Sequence, residues 1–311
     1  MLAKTRARHN DVSDTVDVTD PEAVTAALLE ILGQHYSASE LAAIPQVVAD
    51  FARLYRGEYP GYHACDVGYH NIQHVLDVTL AVARLIDGFQ KSEDQSEHLS
   101  GSIVVAGIAC ALFHDAGYIR RRRDTRHSNG AEYTRIHVRR SARFMSEYFP
   151  TVGLDYAVPI CRRIVHFTGY EVNPADVDAH SEEERIVGWL LGTADLIAQM
   201  ADVAYVEKCR DRLYPEFVGG GMAGEQGKYT KTGVIYKSPA HLMQSTPNFI
   251  RSAIQVRLDG YFHCYYRFAA LHFDGPNLYM DAIEHNCEML ESILAKNDLE
   301  LLLSDAIKPD C

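Results

Sequence analysis

The sequence predicts an all-α protein, a compact multi-helix bundle. Apolar residues recur at intervals of three and four through most of the chain, and nowhere do alternating apolar and polar segments follow one another as strands would. With 311 residues, 47% of them hydrophobic, the chain can bury a substantial core. No internal repeat is visible, so residues 21–305 are expected to form a single helical domain. Residues 1–20 are polar and rich in Asp and Thr, and are expected to be disordered or loosely packed.

A first helix is predicted from Pro21, which follows Thr19 and Asp20 as a helix start should, through Leu32. A second runs from Ser39 to Tyr55 on the spacing of Leu41, Ile44, Val47, Val48, Phe51 and Leu54. Residues 57–68 read as a loop, and helical periodicity resumes from Asn71 to Ile86. Leu99 to Phe113 is a buried helix that delivers His114 and Asp115 at its end. Further helices are expected at 131–148, 156–165, 182–201, 205–217, 239–242, 249–273 and 278–303. Residues 219–227 hold five glycines with no preceding strand and no Lys-Ser/Thr ending, which gives a loop and excludes a phosphate-cradling P-loop.

A net charge of −12 argues against general nucleic-acid binding, which rests on neutralising many phosphates. The apolar runs fall short of the roughly 20 residues of a membrane span, and the first residues lack the apolar segment of a secretory signal, so no membrane partner and a cytoplasmic location are expected. Seven cysteines, an odd number without a CxxC pair, read as reduced thiols. Oligomerisation is left open by the sequence.

Two stretches carry the chemistry. Tyr69 to Val78 contains His70 and His74, four apart and so on one helix face, with Asp77 a turn further on, placed to orient an imidazole from behind. Ala111 to Tyr118 contains His114 and Asp115, which can turn toward one point if the helix breaks at Gly117. Asp195, flanked by Leu, Ala and Ile, is costly to bury without a counter-charge. His74, His114, Asp115 and Asp195 form a two-nitrogen, two-carboxylate set suited to Mn²⁺, Fe²⁺, Zn²⁺ or Mg²⁺, and Asp115 has the oxygens to bridge a second ion. His127, His137 and His166 are candidates to line the site. Glu132 is a candidate to hydrogen-bond metal-bound water, although an exposed helical position suits a glutamate better. Nine arginines between Tyr118 and Arg143, against only Asp124 and Glu132, form either a solvated face or a positive field for a phosphorylated substrate, with Arg120 and Arg126 as the candidate phosphate contacts.

The order His…His-Asp…Asp on helices resembles the HD-domain metal-dependent phosphohydrolase superfamily. Residues 69–78 are similar to the Tyr-His-Asn-x-x-His-Ala-x-Asp-Val signature of class I cyclic nucleotide phosphodiesterases, with Val75 in place of alanine. The resemblance extends through Thr193-Ala194-Asp195-Leu196 to Tyr214-Pro215-Glu216-Phe217, covering roughly residues 65–240. It implies that His74, His114, Asp115 and Asp195 hold a first metal, that Asp115 shares a second, for which His137 and His166 match the extra histidine ligands of relatives with a fuller di-iron site, and that His70 is the general acid protonating the leaving oxygen. Two divalent ions would supply a nucleophile at neutral pH and neutralise charge on the phosphoryl oxygens of a small phosphorylated substrate such as a nucleotide. The chain departs from the family at Tyr118, where His-Asp-x-x-His is expected, and at Lys231 and Val234, where a glutamine and a phenylalanine clamp the purine. The phosphodiesterase reading therefore rests on more residues than any particular base does. Alternatives are a phosphomonoesterase acting on nucleotides, a di-iron oxygenase of the same superfamily, which has no obvious use for His70, and a non-catalytic metal-stabilised binding protein.

Overall fold

The computed structural model describes residues 6–93, 98–224 and 236–296. It is an all-α bundle, and only isolated bridges, such as Tyr62 with Arg121, interrupt the helical pattern among the described residues. Helix α1 (Pro21–Leu32) opens on Asp20, whose carboxylate accepts the Glu22 amide at 2.9 Å. Helix α2 (Ile44–Tyr55) starts later than the periodicity suggests, because Glu40 turns back to accept the Ser37 amide and hydroxyl, forming a separate turn. Helix α3 (Ile72–Lys91) is capped by Asn71, which accepts the His74 amide at 3.2 Å. The order continues with α4 (Gly101–Phe113), α5 (His137–Tyr148), α6 (Ala157–Ile164) and α7 (Glu182–Ala201), the last capped by Ser181.

After α7 the chain bends by 99° into α8 (Tyr205–Lys208), a π-helical turn and α9 (Tyr214–Gly219). Helices α10 (Pro239–Ser252), α11 (Phe268–Phe273) and α12 (Leu278–Ala295) complete the described chain, with a π-helical segment (Ala253–Tyr261) after α10. Lys231 and Val234, and residues 297–305 of the expected last helix and domain, lie outside the described residues.

One apolar core runs from Val18 to Leu290. Its axis is α3, which packs on α1, α4, α7 and α11, while α4 is enclosed by α2, α3, α5, α6 and α7. Every α4 residue except Ser102 is buried. Residues 101–118 are long and apolar enough by length and composition to cross a membrane, and 94% of that window is buried inside the fold. Close approach requires small residues here: a Cβ on Gly107 would come within 2.5 Å of a Val187 methyl on α7.

The expectation of disorder at the N-terminus is corrected for residues 6–20. Arg84 on α3 is a buried guanidinium and needs an anion; Asp11 provides it at 2.6 Å and also accepts the amides of Ser13, Thr15 and Val16. Val18 is buried beside this loop, and Gln73 donates to the Arg8 carbonyl at 2.7 Å. Composition predicted a loose segment because the partner charge lies more than seventy residues away in sequence.

Candidate metal centre

Three helices deliver the cluster. Asn71 caps α3, so His74 stands in the first turn of that helix with His70 just ahead of it. Helix α4 ends at Phe113; His114 keeps helical angles and Asp115 departs from them into a single 3₁₀ turn at residues 116–118. Asp195 projects from the middle of α7. The Nε2 atoms of His74 and His114 lie 3.4 and 3.2 Å from Asp115 Oδ2, and 3.6 and 3.7 Å from Asp195 Oδ1. Ligand atoms of His74, His114 and Asp115 all fall within 4.8 Å of one another.

Three of these atoms, His74 Nε2, His114 Nε2 and Asp115 Oδ2, are buried and have no hydrogen-bond partner. Such atoms are costly unless something completes them, and a cation suits a convergent set of imidazole nitrogens and carboxylate oxygens. The tautomer agrees: His114 Nδ1 donates to the Ala111 carbonyl at 2.7 Å, leaving the Nε2 lone pair facing the cluster. Burial disfavours charge on His114, but Asp115 beside it and then Asp195 override that and lift its pKa to about 9. The same histidine holds Asp115 well below the usual carboxylate range against its burial. A bound cation would displace that proton and take its place as counter-charge.

Asp115 faces two ways. Its Oδ1 lies 3.6 Å from Nε2 of His137, which opens α5 and whose Nδ1 donates to Thr134 at 2.7 Å. Gly117 makes that approach possible, because a Cβ there would meet the His137 carbonyl oxygen at 1.9 Å. Its role is close packing, with no left-handed break needed at the end of α4.

His70 stands at the rim, with Nδ1 on a very short contact to Glu216. Burial opposes its protonation; Glu216, then Asp115, override that and raise its pKa to about 9. Glu216 is itself buried and takes the Tyr69 amide at 3.0 Å with its other oxygen. The role of Glu216 escaped the sequence reading, although an acid among Tyr214, Pro215 and Phe217 was its signal. Tyr118 fills the departure from His-Asp-x-x-His with a wall: its ring stacks on His70 at 4.7 Å and on His137 at 4.6 Å.

Other expected site residues have different employment. Asp77 makes no hydrogen bond to His74; its charged neighbours are Asp202, Asp11, Arg84 and Lys208, and burial, reinforced by the two acids, raises its pKa to about 7. Glu132 is exposed and closes a capping box, accepting the Ser128 and Asn129 amides at 2.6 and 3.2 Å. Arg120 pairs with Asp66 at 2.8 Å and donates to the His127 carbonyl, while Arg126 is exposed with no side-chain partner at the cluster. Arg122 and Arg140 are likewise spent on backbone carbonyls, at Tyr62 and Gly57 and at Gly117 and Ile119, so much of the arginine run ties loops together. His127 pairs with Asp124 at 3.0 Å and packs on Tyr133. His166 lies in a turn packed on α5 and α7, with a buried Nδ1 that lacks a partner, and forms no ion pair with Asp115 or Asp195.

Fold and site together define an all-α protein whose His/Asp cluster could hold a metal ion. The chain belongs to the Npun_R2479-like family, whose model matches residues 59–259 and so includes His70, His74, His114, Asp115, His137, Asp195 and Glu216. Comparisons with curated proteins and with solved structures return no match.

Proposed function

We propose that the protein is a metal-dependent phosphohydrolase of the HD type, most simply a phosphodiesterase acting on a nucleotide or another small phosphoester. The observation that carries this reading is the set of buried, unpartnered atoms His74 Nε2, His114 Nε2 and Asp115 Oδ2, with Asp195 Oδ1 closing the fourth side. These four residues would hold a divalent ion, and Asp115 Oδ1 with His137 would offer part of a second position. Bound there, divalent ions supply Lewis acidity, lowering the pKa of water and offsetting charge on phosphoryl oxygens.

The protein's own part is positioning and proton transfer. His70, held at Nδ1 by Glu216 and against Tyr118 by stacking, presents Nε2 as the acid for a leaving oxygen. The negative partner Glu216 keeps that imidazole protonated at neutral pH. The free thiols among the described residues suit a reducing compartment, in accord with a cytoplasmic location.

Metal-stripped protein resupplied with Mn²⁺, Mg²⁺, Zn²⁺ or Fe²⁺ should hydrolyse bis(p-nitrophenyl) phosphate, and Asp115→Ala and His70→Ala should abolish turnover. Stoichiometric metal binding without turnover under any of the four would refute the reading. It would favour instead a di-iron oxygenase, for which the second-position geometry of His137 and Asp115 speaks, and iron spectroscopy under oxygen would then decide.

A further inference from the structure

Among the described residues Tyr170 is the most exposed of the large hydrophobic side chains, at 63% of its surface. Exposure alone says little, but this ring has a constructed support. Arg257 is buried, and its Nη1 and Nη2 donate to the carbonyls of Gly169 at 2.9 Å and Phe167 at 2.5 Å. Its guanidinium carbon lies 4.3 Å from the centre of the Tyr170 ring, within stacking range. Arg257 forms no ion pair among the described residues, so this guanidinium is committed to shaping residues 167–170 and to backing one aromatic face.

That turn adjoins the metal cluster. The Phe167 carbonyl lies against Gly192 of α7, where a Cβ would come within 2.9 Å of it, and Asp195 follows Gly192 by three residues on the same helix. In the same turn, His166 keeps a buried Nδ1 without a hydrogen-bond partner.

We propose that Tyr170, set on the Arg257 guanidinium, is a stacking platform for the planar heterocycle of a nucleotide whose phosphate reaches the His/Asp cluster. This rests on the phosphohydrolase reading and narrows its substrate to phosphoesters bearing a base. A flat heterocycle gains contact with the open face of Tyr170, and sequence-tolerant stacking of this kind changes affinity by about tenfold or more per base.

The test is competitive inhibition of bis(p-nitrophenyl) phosphate hydrolysis by AMP and by ribose 5-phosphate, which carries the same phosphate without a base. In the unmodified protein the AMP inhibition constant should be about tenfold below that of ribose 5-phosphate. Tyr170→Ala and Tyr170→Leu should bring the two constants together by weakening AMP alone, and Tyr170→Phe should preserve the difference. Metal-dependent turnover with equal constants in the unmodified protein, or a difference that survives Tyr170→Ala, overturns the platform and leaves the phosphohydrolase standing. Absence of turnover with every metal overturns both.

Discussion

Gly117→Ala tests whether the seam between α4 and α5 sets the position of His137. The new methyl carbon would lie 1.9 Å from the His137 carbonyl oxygen, whereas real Cβ atoms essentially never come within 3.0 Å of such an atom. The obstacle is backbone, so relief requires the start of α5 to move by about 1 Å or more. Three hydrogen bonds cross the same seam: the Gly117 amide to Ser141 Oγ at 2.8 Å, and Arg140 to the carbonyls of Gly117 at 2.6 Å and Ile119 at 3.0 Å. Overpacking at about 1–3 kcal/mol and weakened hydrogen bonds at about 1 kcal/mol each give a destabilisation of about 4–6 kcal/mol. Moving His137 also opens its 3.6 Å approach to Asp115, and metal affinity should fall about 10- to 100-fold. Urea unfolding and calorimetric titration with Mn²⁺ measure the two effects. Gly153→Ala is the control: φ is +74° and nothing lies within 4 Å, so only the left-handed penalty of about 1 kcal/mol remains. A Gly117→Ala protein within about 1 kcal/mol of the parent, with unchanged Mn²⁺ affinity, would refute the argument that this glycine sets His137.

Saturating metal at a hundredfold excess over Kd should add about 2.7 kcal/mol of stability. A chelator should therefore lower Tm by several degrees, and in His114→Ala protein the chelator should have no effect, as scanning calorimetry would show. Glu216→Gln keeps the shape but removes the negative charge that raises the His70 pKa to about 9, so the alkaline limb of kcat against pH should move to lower pH, with kcat down about tenfold. An unmoved limb would remove Glu216 from that role. Asp11 is buried, yet Arg84, Ser13 and the Val16 amide hold its pKa at about 2, below its ordinary 3.8. Because the folded value is depressed, its contribution of about 2 kcal/mol is present above about pH 4 and is lost as pH falls toward 2. Asp11→Ala should remove that dependence from acid unfolding curves and, by leaving Arg84 buried without its anion, cost about 3–5 kcal/mol at pH 7.

The helices were legible because local rules agree with the fold: Asp20, Asn71 and Ser181 cap where periodicity begins, and α7 runs over the expected residues. His74, His114, Asp115 and Asp195 were legible for a different reason, since polar groups in apolar helices demand a shared solution. Direction around a helix was harder. Asp77 is one turn from His74, but its carboxylate lies among Asp202, Asp11 and Arg84. Glu132 is more at home on an exposed helical turn than at a metal-bound water, and Asn129 three residues before it gives the local reason, a capping box. Glu216 and Tyr118 act on His70 through contacts spanning 146 and 48 residues of sequence, and local pattern has no means of reporting such distances. The arginine run illustrates the converse, where apparent field strength disappears into carbonyl partners at Gly57, Tyr62, Gly117 and Ile119.

The enclosure of α4 has a consequence for the protein during its synthesis. Its partners α2 and α3 precede it, but α5, α6 and α7 follow, and the last is complete only at Ala201. At ribosomal speeds of about 5–20 residues per second, on the order of ten seconds separate the appearance of α4 from that of its full cover. Through that interval a segment apolar enough to enter a bilayer is half-sheathed, and His114 and Asp115 at its end have no partner from α7. The nascent chain is thus at its most adhesive before the two halves of the His/Asp cluster can meet, which ties assembly of that cluster to whatever shields α4 while the ribosome finishes α7.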